Sequence, residues 1–225
     1  VIGEPKMSGL TVVEICNLAL SNIRSKSINS LNDETQQAQY CKLKYPVVRD
    51  KLLRDFNWRF AKKTQALALR TDTPHRWRLA YQYPSDCIKI ISVTTNEILT
   101  ANNRERLSLR YTPDSRIEAM DYRVAYEVLS SAGDVIIGSD ADNIVVEYTY
   151  RVEDPSIFDP NFVLVMSWYL ASQLAIPILG EGKGRQLMSD CLAMYQTLLS
   201  EALAADFDEA YSPDRPESDL ITGRY

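Results

Sequence analysis

The sequence predicts an α+β fold: a helical bundle formed by N- and C-terminal helices, with a central antiparallel β insertion. Three observations carry this expectation. Near both ends of the chain, apolar residues recur at three- and four-residue steps. In the centre, short segments alternate in polarity or are continuously apolar. The links between those segments are polar or glycine-containing and leave no room for helical crossovers, which favours antiparallel pairing.

The first helix is expected to begin near Thr11, because Thr11 and Glu14 have capping-box spacing. Val12, Val13, Ile15, Cys16, Leu18, Ala19 and Ile23 supply its apolar face. Residues 25–32 read as a turn. A second helix is expected from about Asp33, where an acid favours the amino end. Tyr40, Leu43, Val47, Val48, Leu52 and Phe56 form its expected buried stripe. That stripe leaves Lys42, Lys44, Arg49, Lys51 and Arg54 mostly outside. Pro46 predicts a kink or break just before it.

Strand candidates follow at 77–83, 88–93, 107–111, 121–129 and 144–150. Trp77, Leu79 and Tyr81 share one parity. Tyr122, Val124, Tyr126 and Val128 share a face, as do Ile144, Val146, Tyr148 and Tyr150. Residues 94–104, 113–120 and 131–143 read as connections. Asp159-Pro160 then marks a helix start, and the run from Phe162 to Leu179 is apolar enough for a core helix covered on several sides. Pro177, Gly180, Gly182 and Gly184 are expected to end it and form a turn. A last helix is expected over about 185–210. This divides the chain into N-terminal helices of the bundle (8–70), a β-rich insertion (71–155), C-terminal helices completing the bundle (156–211) and an extended tail (212–225).

Composition narrows the function classes. The 225 residues are 45% hydrophobic and 24% charged, a balance that gives no reason to expect wholesale disorder. No run approaches 18 consecutive apolar residues, so no membrane association is expected. The first residues lack a basic-then-apolar leader pattern. Met7 reads either as a natural start after a cloning remnant at 1–6 or as part of a native N-terminal arm; both readings stay open. Cys16, Cys41, Cys87 and Cys191 lie far apart without a CxxC pair, and free, mostly buried thiols are expected.

Net charge is -5, unevenly spread. Basic residues dominate 40–80, and acids return at Glu201, Asp206, Asp208, Glu209, Asp214, Glu217 and Asp219. Such asymmetry suits either an ordinary charged surface, contact between copies, or nucleic acid. The segment Asn57-Trp58-Arg59-Phe60-Ala61-Lys62-Lys63 fits an aromatic core anchor, or base stacking if the rings are exposed.

Catalytic and ligand-binding signals are weak. Residues 180–185 (GEGKGR) lack the full GxxxxGK[ST] pattern and follow a helix, so an inter-helix turn is expected. Residues 133–143 do not match the calcium-loop pattern and read as a hairpin-like connection with exposed acids. His75 is the single histidine and no GxSxG elbow is present. Glu127 and Glu147 could form a carboxylate pair, but common acids on strands are a weak signal. No enzyme activity, cofactor or metal is expected.

The helix–sheet–helix order resembles the adaptor, or tail tubular protein A, family of tailed-bacteriophage head–tail connectors. The resemblance spans about 10–210. It is carried by Arg54-Asp55-Phe56-Asn57-Trp58-Arg59-Phe60-Ala61, by Tyr81-Gln82-Tyr83-Pro84-Ser85-Asp86-Cys87-Ile88-Lys89-Ile90, and by the late helices around Trp168-Tyr169-Leu170-Ala171 and 188–203. It implies a structural protein of the virion head–tail junction, assembled in the host cytoplasm. It also implies a homo-oligomeric ring, commonly of twelve copies, beneath the phage portal protein and above downstream tail or nozzle proteins. DNA passes such a ring with transient, non-specific proximity. Trp58, Phe60, Tyr83 and Trp168 then hold the fold. Tyr211, Arg215, Arg224 and Tyr225 become portal or subunit contacts. Lys42, Lys44, Arg49, Lys51, Lys62 and Lys63 become DNA-facing or subunit contacts. The alternative is a nucleic-acid binding module built on the basic aromatic segment.

Overall fold

The computed structural model describes residues 10–71, 76–95, 123–131 and 133–208. The chain is α+β, with helices from both ends flanking a central antiparallel β insertion. It divides into two compact units: one from Val1–Tyr45 and Phe158–Tyr225, the other Pro46–Ile157. The expected strand at 107–111, with Tyr122 and His75, lies outside the described residues.

In the first unit, α1 (Val12–Asn22) starts with the expected capping box: Glu14 N–H donates to Thr11 Oγ1 (3.3 Å), and Thr11 N–H to Glu14 Oε2 (2.6 Å). These bonds satisfy amino-end donors that the helix itself cannot. Ile15, Cys16, Ala19 and Leu20 face the core. The following loop is pinned by Asn17, whose side chain donates to Ile28 O (2.9 Å) and accepts from Ile28 N–H (2.8 Å).

The second helix, α2 (Gln36–Asp55), begins later than expected. Asp33 bends back to accept from Asn29 and Ser30 N–H, while Thr35 Oγ1 accepts from Ala38 N–H at the helix start. Pro46 does not break α2; it lies inside it, and the division between the two units falls at that residue. The buried stripe is also rotated from the expected one. Ala38, Cys41, Tyr45, Val48, Leu52 and Leu53 are buried, whereas Leu43 and Val47 are 62% and 64% exposed.

Asp159 caps α3 (Pro160–Leu179), accepting from Asn161 N–H (2.7 Å), with Pro160 in the first turn where its missing donor costs nothing. By length and composition this helix could cross a membrane, but 56% of its most apolar window is buried, with α1 and α4 packed on it. Gly180, at φ 76°, turns the chain, and α4 (Glu181–Asp208) begins at once. The expected glycine turn is thus one residue wide. Gly182 and Gly184 belong to α4, and a methyl on Gly184 would lie 2.7 Å from Ile176 Cα and 2.8 Å from Ala175 O. Glycine there lets two helices approach closely.

Among its described residues the second unit has six strands: β1 (Lys62–Ala66), β2 (Leu79–Gln82), β3 (Cys87–Thr95), β4 (Tyr126–Ser131), β5 (Asp134–Ser139) and β6 (Ile144–Tyr150). They form two antiparallel three-stranded sheets, ordered β1-β6-β3 and β2-β5-β4. Tyr81, Val93, Ile137, Ile144, Val146 and Tyr148 make a shared core. The clearest correction is β5. Residues 131–143 were expected to connect strands, yet Ile136, Ile137 and Ser139 are buried in the middle of a sheet. Ser131 and Asp134 pair at the end of the β4–β5 hairpin. On the expected Tyr126–Val128 face both side chains are exposed. Trp58 and Phe60 do not lie on a strand; a 3-10 turn at Arg59–Ala61 separates α2 from β1.

Candidate functional site

Two of the sequence segments singled out above meet in the β-containing unit. Arg54, in the last turn of α2, donates from Nη1 to Ile88 O (2.7 Å), and Lys89 Nζ donates to Asn57 Oδ1 (3.1 Å). Between these clamps Trp58 is buried, and its Nε1 donates to Leu52 O (3.0 Å). That bond satisfies a carbonyl in the last turn of α2. Phe56 and Phe60 flank the indole, with ring centroids 6.2 Å away on each side. Trp58 is therefore the core anchor, and a ring so enclosed is not a base-stacking platform.

Beside this anchor, β1, β3 and β6 bring together a polar cluster. Asp86 accepts from Lys63 Nζ (2.7 Å) and from Tyr148 Oη (3.0 Å), and Tyr148 Oη also lies 3.1 Å from Gln65 Oε1. Lys63 stands 5.2 Å from the Tyr150 ring centroid, within cation–π range. Lys63, Ser85, Asp86, Tyr150, Arg151 and Glu153 line an open cavity of about 420 Å³. Burial would raise the Asp86 carboxyl, but hydrogen bonds from Lys63 and Tyr148 outweigh it and hold it below the ordinary value. The same hydrogen bond to Asp86 raises Lys63. Burial, then the Asp86 contact, raises Tyr148. Lysine and phenol both keep their protons near neutrality, so neither is poised as a base or nucleophile. The cluster ties β1, the β3 approach and β6 together.

The basic series is largely occupied. Arg49 is buried rather than outward, and its Nη2 pairs with Asp50 (2.8 Å), which also takes Arg151 (3.1 Å). Lys51 pairs with Asp55 one turn on. Lys42 Nζ donates to Asn32 Oδ1 (3.0 Å). Lys44 is half-buried, and Lys62 is exposed on β1. An exposed lysine on an edge strand discourages further strand pairing. Tyr211, Arg215, Arg224 and Tyr225 lie outside the described residues.

Glu127 and Glu147 stand on different sheets and have separate partners. Glu127 accepts from Trp77 Nε1 (2.9 Å) and Glu147 from Ser92 Oγ (3.2 Å). All four cysteines are free thiols, with Cys87 alone half-buried and the others buried. Among the described residues, no group of three or more His, Cys, Asp or Glu is arranged to hold a metal ion.

Sequence reasoning missed several pairings. Arg78 donates to Asp140 O (2.8 Å) and pairs with Asp142 (2.6 Å). Arg70 reaches both Gln82 and Asp134 (3.0 Å each). These partners are up to 64 residues apart, and only the antiparallel register of β2 on β5 makes them neighbours. No family model matches the chain, and no curated protein matches it by sequence.

Proposed function

We propose that the chain is a structural adaptor of a phage head–tail connector, forming a ring beneath the portal through which DNA passes. The observation that carries this reading is the clamp between its two most family-like segments. Residues 54–61 and 81–90 are held together through Arg54–Ile88 and Asn57–Lys89 around the buried Trp58. A ring also needs exposed apolar side chains for its neighbours, and Leu43 and Val47 on α2 are each exposed. Burying such apolar side chains favours association.

In this reading the chain does no chemistry. Its partners are the portal protein, downstream tail or nozzle proteins and further copies of itself, twelve in the virion. Its place is the head–tail junction, reached after assembly in the host cytoplasm. The nucleic-acid alternative has less support, because Trp58 is enclosed and Lys63 and Arg49 are neutralised by Asp86 and Asp50.

Light scattering of the protein with and without purified portal tests the proposal. A portal-dependent ring is expected, weakened by Leu43→Asp and Val47→Asp. A chain that leaves the portal unbound at every concentration defeats it. DNA titration tests the alternative: salt-dependent binding that disappears on reversing Lys62 and Lys63 would favour it.

A further inference from the structure

We propose that the groove between the end of α1 and the start of α4 receives the acidic C-terminal segment of a second copy of this chain. The groove encloses about 410 Å³ and is lined by Ile23, Arg24, Leu179, Lys183, Gln186 and Leu187. Its chemistry is divided: the half-buried Leu179 and Leu187 give an apolar floor above the fully buried Ile23, and the exposed Arg24 and Lys183 give a cationic rim. Neither cation meets a carboxylate among the described residues.

Arg24 occupies a position that favours glycine. After α1, Ser25 N–H donates to Leu20 O and Arg24 N–H to Ser21 O (2.9 Å each). This is the closing pattern whose residue after the cap is left-handed. Arg24 adopts φ 57° there. Glycine would adopt it without strain, whereas here the position carries an exposed cationic side chain on the groove's rim.

The chain carries a segment with the complementary pattern. Pro216-Glu217-Ser218-Asp219-Leu220-Ile221 places two carboxylates directly before two aliphatic side chains. Glu217 and Asp219 match the rim, and Leu220 and Ile221 match the floor. Chain geometry favours a neighbour's segment over the chain's own. From Lys183 on the rim to Asp208, α4 runs about 38 Å at about 1.5 Å per residue. From Asp208 to Glu217, a fully stretched chain spans about 30 Å at about 3.3 Å per residue. Even fully stretched, the chain's own Glu217 falls short of its own Lys183, whereas a second copy imposes no such limit. The inference deepens the connector reading, which already counts further copies as partners, but its test uses no portal and so fails or succeeds separately from portal binding.

A charge swap in the full chain tests it by sedimentation velocity across a concentration series. The unmodified chain is expected to self-associate, more weakly as salt rises. Arg24→Glu with Lys183→Glu, and separately Glu217→Lys with Asp219→Lys, should each weaken association by about tenfold or more. Mixing the two double variants should restore it, because the reversed groove of one meets the reversed segment of the other. The chain carrying all four changes should self-associate again, which separates charge loss from misfolding. A monomeric unmodified chain, or association indifferent to both double variants, overturns the proposal. So does failure of the mixture, whether or not the fourfold variant recovers.

Discussion

The two units hold themselves together by different means. In the helical unit, contacts between elements are chiefly apolar: Ile15, Leu20, Phe162, Met166, Leu170 and Leu174 are fully buried. Its polar bonds are mostly local, such as the Thr11–Glu14 capping box and the Glu181–Arg185 pair. In the β-containing unit, charged and polar side chains repeatedly cross long sequence gaps, as in Lys63–Asp86, Arg70–Asp134 and Arg78–Asp142. Helices complete their hydrogen bonds within themselves and need only an apolar face to pack. Strands must be held in register by distant segments, and side-chain pairs at loop ends supply part of that definition.

This contrast can be broken or sharpened experimentally. The largest effect is expected from Phe162→Ala, which removes a fully buried ring stacked edge-on against Phe158 at 5.0 Å. Truncating such a side chain costs about 3–5 kcal/mol. Hydrogen exchange should show lost protection throughout α1, α3 and α4, and a loss limited to one turn would contradict a shared apolar core.

Next come two glycines. Gly184→Ala pushes a methyl into the backbone of α3 and should cost about 1–3 kcal/mol in urea unfolding. Gly138→Ala meets the side chain of Trp77, a half-buried ring held by its bond to Glu127, so a side chain rather than a helix backbone must give way. Its cost should be smaller and accompanied by a change in tryptophan fluorescence. Equal costs would mean that Trp77 is as fixed as a helix backbone.

Tyr148→Phe removes the hydroxyl shared with Asp86 and Gln65. A loss of about 1 kcal/mol is expected, with faster exchange confined to β1 and β6. A loss that reached α3 or α4 would show that the cluster does more than pin its own unit.

The smallest effect is the pH response of the Lys63–Asp86 pair. Asp86 is held below its ordinary value of 3.8, so its stabilisation is complete above that pH and fades as pH falls through the lowered value. Lys63 is raised above 10.5, so its share is complete below that pH and fades as pH rises past the raised value. Urea midpoints should therefore be flat for this pair through neutrality, and Asp86→Asn should remove both limbs. A slope near pH 7 that vanished in Asp86→Asn would contradict this assignment.

Local signals in the chain were readable wherever one physical rule governed them. The capping box at Thr11–Glu14, the Asp159-Pro160 start of α3 and the strand at Ile144–Tyr150 follow from cap chemistry and side-chain periodicity. Errors arose where two rules competed. Residues 134–139 lie between glycine and acid-rich turns, and the turn signal hid the apolar Val135-Ile136-Ile137 run that becomes β5. Leu43 and Val47 matched a helical period, but so did Cys41, Tyr45 and Val48, and periodicity alone does not choose between adjacent faces. Arg49 looked like surface because arginine usually is; its pairing with Asp50 offsets the cost of its burial.

The order of helices, sheet and helices was set by the sequence alone, because propensity, capping and periodicity act over a few neighbouring residues. Tertiary structure decided which face of α2 is buried, which charges are spent internally and which residues meet across the sheets. Those outcomes depend on contacts between segments tens of residues apart, for which the linear chain carries no local mark. The presence of Arg24 and Lys183 on one groove belongs to that second class, since it depends on α1 and α4 both packing on α3.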